Sequence, residues 1–297
     1  MKQQYKETPM IWLIGNKGML GTELSRLLDA RGLKWTGTDR EVSMLDPAAL
    51  EAFAAGRNLD WVINCAAYTA VDKAEEEETL ALALNAEGPE NIARLCTRKG
   101  ARLLHISTDY VFDGTGKRPY LETDPVCPQG AYGRTKAAGE NRVLAATPNP
   151  VILRTAWLYG EHGPNFVTTM LRLMQAKDEI GVVADQYGSP TWARDLSTAI
   201  ADIVTRPDFP SGIWHFTNAG QTTWHEFALE IRRLALEKSL LQHDCRVNAL
   251  TTNQYPTKTQ RPAYSVLSKT KIIAKRIPVP DWKASLAAYL DSIKAKA

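Results

Sequence analysis

The feature that most constrains the fold of this chain is an alternation of short apolar runs with longer segments of helical spacing, beginning at residue 10. The apolar runs have the length of β-strands and lie at 10–14, 35–37, 61–65, 102–107 and 151–153. The segments between them are long enough to be crossover helices, which join parallel strands by right-handed connections. A parallel sheet of this kind is covered by helices on both faces. The sequence therefore predicts an α/β fold built on a doubly wound parallel sheet.

The alternation stops after Arg154, although helical spacing continues. In the first half, helices are predicted at 20–30, 47–55, 79–99 and 132–145. In the second half, they are predicted at 165–175, 193–204, 223–236 and 282–293. We therefore expect a flexible extension at 1–9, a Rossmann-type domain at 10–155, and a smaller mixed α/β lobe at 156–297 that returns some segments to the first domain.

Composition argues against several classes of partner. The net charge is +3 and the basic residues are scattered, so we expect neither nucleic acid nor a membrane surface as a partner. No stretch reaches the roughly 20 apolar residues of a membrane span, and the N-terminal residues lack the apolar region of a signal peptide. The four cysteines include no CxxC pair, which argues against a disulfide framework and a thiolate metal site. These features predict a cytoplasmic protein.

A glycine-rich turn follows the first predicted strand and opens a helix. It reads Gly-Asn-Lys-Gly-Met-Leu-Gly over 15–21. Glycines at this spacing let the backbone approach a pyrophosphate, whose charge then faces the N–H groups of the helix N-terminus. An ordinary strand-to-helix turn has the same pattern, but Asp39 at the end of the second predicted strand can bind an adenosine ribose hydroxyl. Arg40 can instead hold a 2′-phosphate, so the sequence predicts a dinucleotide site for NADPH or NADH without choosing between them.

Three side chains form a candidate catalytic set. Tyr132 and Lys136 are four residues apart on a predicted helix and therefore share one face. A cation near a phenol favours the phenolate, which makes the tyrosine a better acid and base near neutral pH. Thr108 follows an apolar run, at the carboxyl end of a strand, where open α/β sheets bind ligands. Each feature alone also fits a plain surface helix or a loop cap; their combination favours a reductase in which Tyr132 supplies a proton.

Together these motifs resemble the extended short-chain dehydrogenase/reductase superfamily. The segments 66–75, 107–112, 154–157 and 185–191 resemble, more narrowly, the dTDP-4-dehydrorhamnose reductase family. The resemblance implies an NAD(P)H-dependent reduction of dTDP-6-deoxy-L-lyxo-4-hexulose at C4 to dTDP-L-rhamnose. It also implies that Thr108, Asp109, Trp157 and Arg261 contact the nucleotide sugar. Core packing is the alternative role for Trp157, and a surface position is the alternative for Arg261.

The resemblance assigns a larger set of residues to the cofactor. These are Gly15, Asn16, Gly18, Met19, Leu20, Gly21, Asp39, Arg40, Ser43, Met44, Ala66, Ala67, Tyr68, Thr69, Ile106, Tyr132 and Lys136. Ser43 and Met44 depart from the family pattern, in which an acidic residue and a hydrophobe commonly lie against the adenine.

The metal site of some family members is not expected here. In those members carboxylates bind magnesium and join two subunits, but Arg194 occupies one of the corresponding positions and an arginine cannot bind a cation. Glu23 is then expected to be an ordinary acid on a helix surface. We therefore expect no metal, and a monomer or a weak homodimer not built on a metal ion.

Two other functions fit the same motifs. One is another nucleotide-sugar 4-ketoreductase or epimerase of the superfamily, because the catalytic set does not encode which hexose is bound. The other is a non-catalytic NADP-binding regulatory subunit resembling the methionine adenosyltransferase β subunit. An intact Thr108, Tyr132 and Lys136 argues against the second alternative.

Overall fold

The computed structural model describes residues 9–295 of the chain. The predicted extension at 1–9 therefore lies outside the described residues, except for Pro9. The described strands are β1 (Met10–Ile14), β2 (Lys34–Thr38), β3 (Trp61–Asn64), β4 (Arg102–Thr108), β5 (Val151–Thr155), β6 (Leu158–Tyr159), β7 (Glu179–Val183), β8 (Tyr187–Gly188), β9 (Thr191–Trp192), β10 (Gly212–His215), β11 (Thr222–Thr223) and β12 (Arg246–Leu250). The described α-helices are α1 (Met19–Ala30), α2 (Pro47–Ala54), α3 (Glu78–Leu82), α4 (Gly88–Lys99), α5 (Ala131–Ala146), α6 (Phe166–Ala176), α7 (Ala193–Val204), α8 (Trp224–Glu237), α9 (Thr270–Ala274) and α10 (Trp282–Lys294).

The central sheet has six strands in the order β10-β5-β4-β3-β1-β2, and every neighbouring pair in it is parallel. Strand β1 shows why its sequence is apolar throughout. Ile11 and Leu13 face one core with α1 and α7, whereas Trp12 and Ile14 face a second core with α2 and α4. Both faces of the sheet are buried, so the predicted doubly wound α/β fold is confirmed.

The strand order reverses beside β1. The chain runs from β1 to β2 on one side and then returns to β3 on the other side. In open α/β sheets, ligands bind outside the carboxyl ends of the strands at such a reversal. The turn after β1 and the loops after β3 and β4 therefore surround the expected binding crevice.

A second lobe packs around a separate apolar core. Helices α6, α8 and α10 supply much of it, with Tyr159 and Trp192 between them. Three segments beyond residue 155 belong instead to the first core: β10 is the edge strand beside β5, α7 contributes Leu196 and Ile200 opposite α1, and α9 contributes Ile272. The two lobes are therefore interleaved along the chain.

The helix predicted at 79–99 contains a π-helical turn. This turn, Ala83–Glu87, lies between α3 and α4. It holds the fully buried Asn85, whose side chain accepts from Tyr68 N (2.8 Å) and donates to Tyr68 O and Thr135 Oγ1 (3.1 Å each). The predicted helix at 79–99 is confirmed, and the π-helical turn inside it places Asn85 where its side chain binds both a loop and a neighbouring helix.

Candidate active site

The turn after β1 approaches the loop after β3 closely at Gly15. Gly15 has φ +80°, and a Cβ on it would lie 2.7 Å from Ala66 N, so only glycine fits here. Gly18 is the N-cap of α1, and no side chain within residues 9–295 caps the first turn of this helix. The N–H groups of that turn are therefore available to an anion.

The side chain of Asn16 provides a second observation consistent with ligand binding at this turn. Its Oδ1 is buried and has no hydrogen-bond partner among the described residues, which is unusual for a buried amide oxygen. A bound group with a hydrogen-bond donor satisfies this oxygen. Together with the uncapped helix and Gly15, it makes the segment 15–21 fit a dinucleotide.

The residues that the sequence predicts to contact the adenosine part of the cofactor follow β2 in the chain. Asp39 is half-buried, and its N–H donates to Glu41 Oε1 (2.8 Å). Arg40 is exposed and makes no ion pair within the described part of the chain, so its guanidinium is available to a phosphate. Ser43 is exposed, whereas Met44 is buried in the core beside α2 and α4.

The loop 66–69 is held by two asparagines. Asn64 Oδ1 accepts from Ala66 N (3.0 Å), and Asn85 binds both backbone groups of Tyr68. Ala67 is half-buried and Thr69 is exposed. This predicted cofactor loop therefore has a fixed backbone beside Gly15.

Thr108 and Tyr132 meet where β4 ends. Burial raises the pKa of Tyr132, and the Thr108 hydroxyl within hydrogen-bonding reach partly offsets that rise. Thr108 Oγ1 donates to Asp109 Oδ1 (3.0 Å) and accepts from Tyr110 N (3.2 Å). The phenol is therefore protonated at neutral pH, but burial makes it a weaker acid, which is opposite to the increase in acidity that the sequence predicts from Lys136.

Lys136 lies one helical turn further along α5, and its side chain is buried. Its Nζ donates to Ile106 O at 2.6 Å and lies 3.5 Å from His105 Nε2. Burial lowers the pKa of Lys136 to about 8. The ammonium is therefore fixed at the end of β4, beside the predicted nicotinamide position.

Asp109 has a buried carboxyl group next to Thr108. Burial raises its pKa to about 6, although the hydroxyls of Ser265 and Thr108 act in the opposite direction. Its Oδ2 lies outside hydrogen-bonding geometry with every described group. A substrate hydroxyl is a natural partner for such an oxygen.

Trp157 has an unusual backbone and a covered ring. Its φ is +48°, an uncommon conformation for a bulky residue and one that clusters at functional sites. Its ring stacks on Trp224 with centroids 3.5 Å apart at 9°. A Cβ on Gly188 would lie 2.4 Å from Trp157 Cε2, so a glycine is needed there. Sequence analysis missed Trp224, although the Thr223–Glu226 capping box fixes it at the start of α8.

Arg261 is connected to Tyr132 through one intermediate residue. Its Nη2 donates to Asp72 Oδ2 (2.5 Å), and its Nη1 donates to the Tyr110 hydroxyl (3.1 Å). The Tyr110 ring in turn packs edge-on against Tyr132. Arg261, which the sequence predicts to bind the diphosphate, is therefore linked to Tyr132 through the side chain of Tyr110.

A buried ionic network joins β4, α5 and β5, and sequence analysis did not find it. Glu140 accepts from Ser107 Oγ (2.5 Å) and from Arg154 Nε and Nη2 (2.8 and 2.6 Å). Arg154 Nη1 lies 3.4 Å from Nε2 of His215, and burial lowers the pKa of that histidine to about 3. The sequence signal was an arginine inside an apolar strand.

Glu23 is not the helix-surface acid that the sequence predicted. It is buried, and one of its carboxylate oxygens lies within 4.8 Å of a carboxylate oxygen of Glu161 and of a ring nitrogen of His162. Arg194 donates to Glu23 Oε1 (2.7 Å) and Glu161 Oε1 (3.1 Å). Because this guanidinium already supplies the positive charge between both carboxylates, the cluster does not fit a divalent cation.

Within residues 9–295, no helix combines the length and the apolar character needed to cross a bilayer.

Comparisons with known proteins agree over nearly the whole chain. The RmlD substrate binding domain family matches residues 9–295. A dTDP-4-dehydrorhamnose reductase of Streptomyces griseus is 43% identical over 293 residues, which cover 96% of this chain and 95% of that protein. A probable dTDP-4,6-dihydroxy-2-methyloxan-3-one 4-ketoreductase of Streptomyces antibioticus is 42% identical over 291 residues and 96% of each chain. The solved dTDP-4-dehydrorhamnose reductase of Bacillus anthracis, in complex with NADP, is 33% identical with a TM-score of 0.90, covering 96% of this chain and 99% of that one.

Proposed function

The chain belongs to the dTDP-4-dehydrorhamnose reductase family, and from that membership we propose that it reduces dTDP-6-deoxy-L-lyxo-4-hexulose at C4 to dTDP-L-rhamnose. The observation that carries the proposal is the placement of Thr108, Tyr132 and Lys136 around the end of β4, in the same parallel sheet whose strand β1 leads into the glycine turn. A binding protein without catalysis needs no buried, protonated phenol at that position.

NADPH or NADH is the proposed cofactor, and when bound it supplies the hydride. The turn 15–21 would hold the pyrophosphate, with the loop 66–69 beside it. Asp39 and Arg40 would face the adenosine ribose, and Lys136 the nicotinamide ribose. The NADP complex of the relative from Bacillus anthracis supports this choice of cofactor class.

Tyr132 is the proposed proton donor. The substrate carbon gains a hydride, and its carbonyl oxygen takes the proton from Tyr132 Oη to become the product hydroxyl. The Thr108 hydroxyl orients that oxygen, and the Lys136 ammonium stabilises the phenolate that remains. Tyr132 recovers its proton from solvent before the next turnover.

Asp109, Trp157 and Arg261 are the proposed substrate residues. The unpartnered Asp109 Oδ2 fits a sugar hydroxyl, and Arg261 fits the diphosphate. Because Trp224 and Gly188 both lie against the Trp157 ring, a sugar can contact only the part of the ring that these two residues leave open.

The deciding experiment is an absorbance assay with purified protein, enzymatically prepared dTDP-6-deoxy-L-lyxo-4-hexulose, and NADH or NADPH in parallel. We expect one reduced cofactor to be oxidised per dTDP-L-rhamnose formed, with the product identified by NMR. Folded protein that binds the cofactor but oxidises none would overturn the proposal.

A different keto-sugar is the second candidate. The relative from Streptomyces antibioticus carries the name of a 4-ketoreductase for another dTDP sugar at nearly the same identity. Product stereochemistry distinguishes these reductases from one another. An epimerase would convert substrate without net consumption of added cofactor.

We also propose that the protein is a monomer or a homodimer that needs no metal ion, because Arg194 joins the two acidic residues at the cluster. Sedimentation with EDTA and with magnesium should give the same mass. A magnesium-dependent dimer would contradict this proposal.

A further inference from the structure

A row of buried polar side chains leads from the sheet to Lys136. Asn64 ends β3, His105 lies within β4, and Lys136 lies on α5; their exposed fractions are 1%, 0% and 2%. Asn64 Nδ2 lies 3.1 Å from His105 Nδ1, and His105 Nε2 lies 3.5 Å from Lys136 Nζ. The proposed mechanism uses only the last of these residues.

The hydrogen-bond directions in this row are fixed from one end. Ala66 N is a backbone donor, so the Asn64 atom 3.0 Å from it must be the amide oxygen. The Asn64 NH₂ group then faces His105, which makes His105 Nδ1 an acceptor. Burial and the nearby Lys136 lower the pKa of His105 well below its usual range, so the ring is neutral. Its single proton is therefore on Nε2.

That proton points at another donor. Lys136 already donates to Ile106 O, and an ammonium has no acceptor to offer the His105 Nε2–H. A neutral amine does have a lone pair and can accept it. The tautomer of His105 thus disfavours the charged form of Lys136 and favours the neutral form.

We propose that Asn64 and His105 are positioning residues that set the charge state of Lys136, with Asn64 holding His105 as the Nε2–H tautomer. The catalytic part of this proposal rests on the proposed reductase function. The tautomer of His105 and the charge of Lys136 can be measured on the protein alone. Neither Asn64 nor His105 touches the substrate in this scheme.

The other groups near Lys136 do not offer the same control. The Cys65 thiol, which follows β3, is neutral because burial raises its pKa to about 12. Glu140 lies one turn along α5 and is paired with Arg154 from β5. Tyr132 is on the same helix, and burial keeps it protonated. Among these described groups, only His105 can change from a donor to an acceptor toward Lys136 at constant charge. It does so when its single proton moves from Nε2 to Nδ1.

Asn64→Asp tests the idea because it exchanges the donor facing His105 for an acceptor. The carboxylate still accepts from Ala66 N, but it now requires a proton on His105 Nδ1. The lone pair of His105 Nε2 then faces the Lys136 ammonium and stabilises it. Because the added negative charge acts in the same direction, the titration midpoint of Lys136 should rise by at least about half a pH unit.

The first measurement is ¹⁵N NMR of histidine-labelled wild-type protein without substrate, with His105 assigned from His105→Gln. We expect an unprotonated Nδ1 and a protonated Nε2 at neutral pH. The reverse tautomer, or a charged ring, overturns the proposal even if Asn64→Asp does not fold.

The second measurement is the ¹³Cε titration of Lys136 in lysine-labelled protein, assigned from Lys136→Arg. We expect the midpoint to rise in Asn64→Asp and to stay unchanged in Cys65→Ser, the matched control. Equal midpoints in wild type and folded Asn64→Asp would refute the proposal.

The pH profile of kcat connects this result to the reaction. Because the Lys136 ammonium is needed beside the phenolate, turnover should fall at high pH, and Asn64→Asp should move that fall upward with the NMR midpoint. If the Lys136 midpoint rises while the pH profile of kcat stays fixed, the charge of Lys136 does not control turnover. Absence of turnover on any keto-sugar would reject the proposed function and leave both NMR results to decide the role of His105.

Discussion

Tyr110 packs the edge of its ring against Tyr132, with centroids 5.4 Å apart and planes at 74°. This geometry is a favourable one for two aromatic rings. The Tyr110 hydroxyl also accepts a hydrogen bond from Arg261. Tyr110 therefore connects the proposed diphosphate-binding residue to the proposed proton donor.

Tyr132→Phe should lower kcat by roughly 10²- to 10⁴-fold, because it removes the proton while keeping the ring and its packing. The Kd for NADPH, measured by fluorescence, should change less than about threefold. Tyr110→Phe is the matched control, since it also removes one phenol hydroxyl, and it should retain most of kcat. A Tyr132→Phe enzyme with wild-type turnover would exclude Tyr132 as the donor.

Arg261→Ala should raise KM for the nucleotide sugar by about ten- to a hundredfold, as expected for losing a charge-assisted hydrogen bond. The value of kcat should change much less, because Arg261 contacts the diphosphate and not the reacting carbon. Arg118→Ala removes an exposed arginine paired with Asp124 and should leave KM unchanged. Equal KM values for the two variants would place Arg261 outside the substrate site.

Glu140→Gln should destabilise the protein by about 3–5 kcal/mol, because it leaves the buried Arg154 charge without its partner. The side chains of this pair are 1% and 3% exposed. Glu51→Gln is the control, since Glu51 pairs with Arg98 and Lys99 at the surface, where such pairs contribute about 1 kcal/mol or less. Urea unfolding of both variants tests the difference; similar midpoints would contradict the assigned role of the buried pair.

Asp109→Asn should change how stability depends on pH. The folded pKa of Asp109, about 6, lies above its ordinary value near 3.8, so the folded state holds this proton more tightly than the unfolded state does. The wild-type free energy of unfolding therefore loses up to about 3 kcal/mol as pH rises from about 4 through 6, and the variant lacks this loss. Denaturant curves at pH 4.5 and 7.5 measure it, and parallel behaviour of both proteins would rule out a raised pKa.

Arg40→Ala should raise KM for NADPH by about tenfold and leave KM for NADH nearly unchanged, because only NADPH carries a 2′-phosphate. NADH is thus the internal control for general damage to the site. Equal effects on both cofactors would mean that Arg40 does not contact that phosphate.

The parts of the fold and site that sequence could predict are those encoded locally. The glycine turn, the apolar strands and the Tyr132–Lys136 spacing each depend on neighbouring residues, so one pattern was enough to place them. The Arg154–Glu140 pair and the Asn64–His105 contact join different elements. An arginine inside an apolar strand indicated that Arg154 needs a partner, but no local pattern identified which residue it is. The burial of Glu23 depends on Arg194 from a distant helix, and for that reason the sequence expectation for Glu23 was wrong.

Strand β10 has a consequence for the order in which this protein is made. It pairs with residues 151–154 of β5, yet it follows α6 and α7 in the sequence. A chain emerging from the ribosome therefore carries β5 with an open edge, the kind of edge that recruits unwanted partners, until residues 212–215 appear. The sheet of the first lobe cannot be completed until α6 of the second lobe has been synthesised, and we expect the two lobes to reach the native state as one cooperative unit.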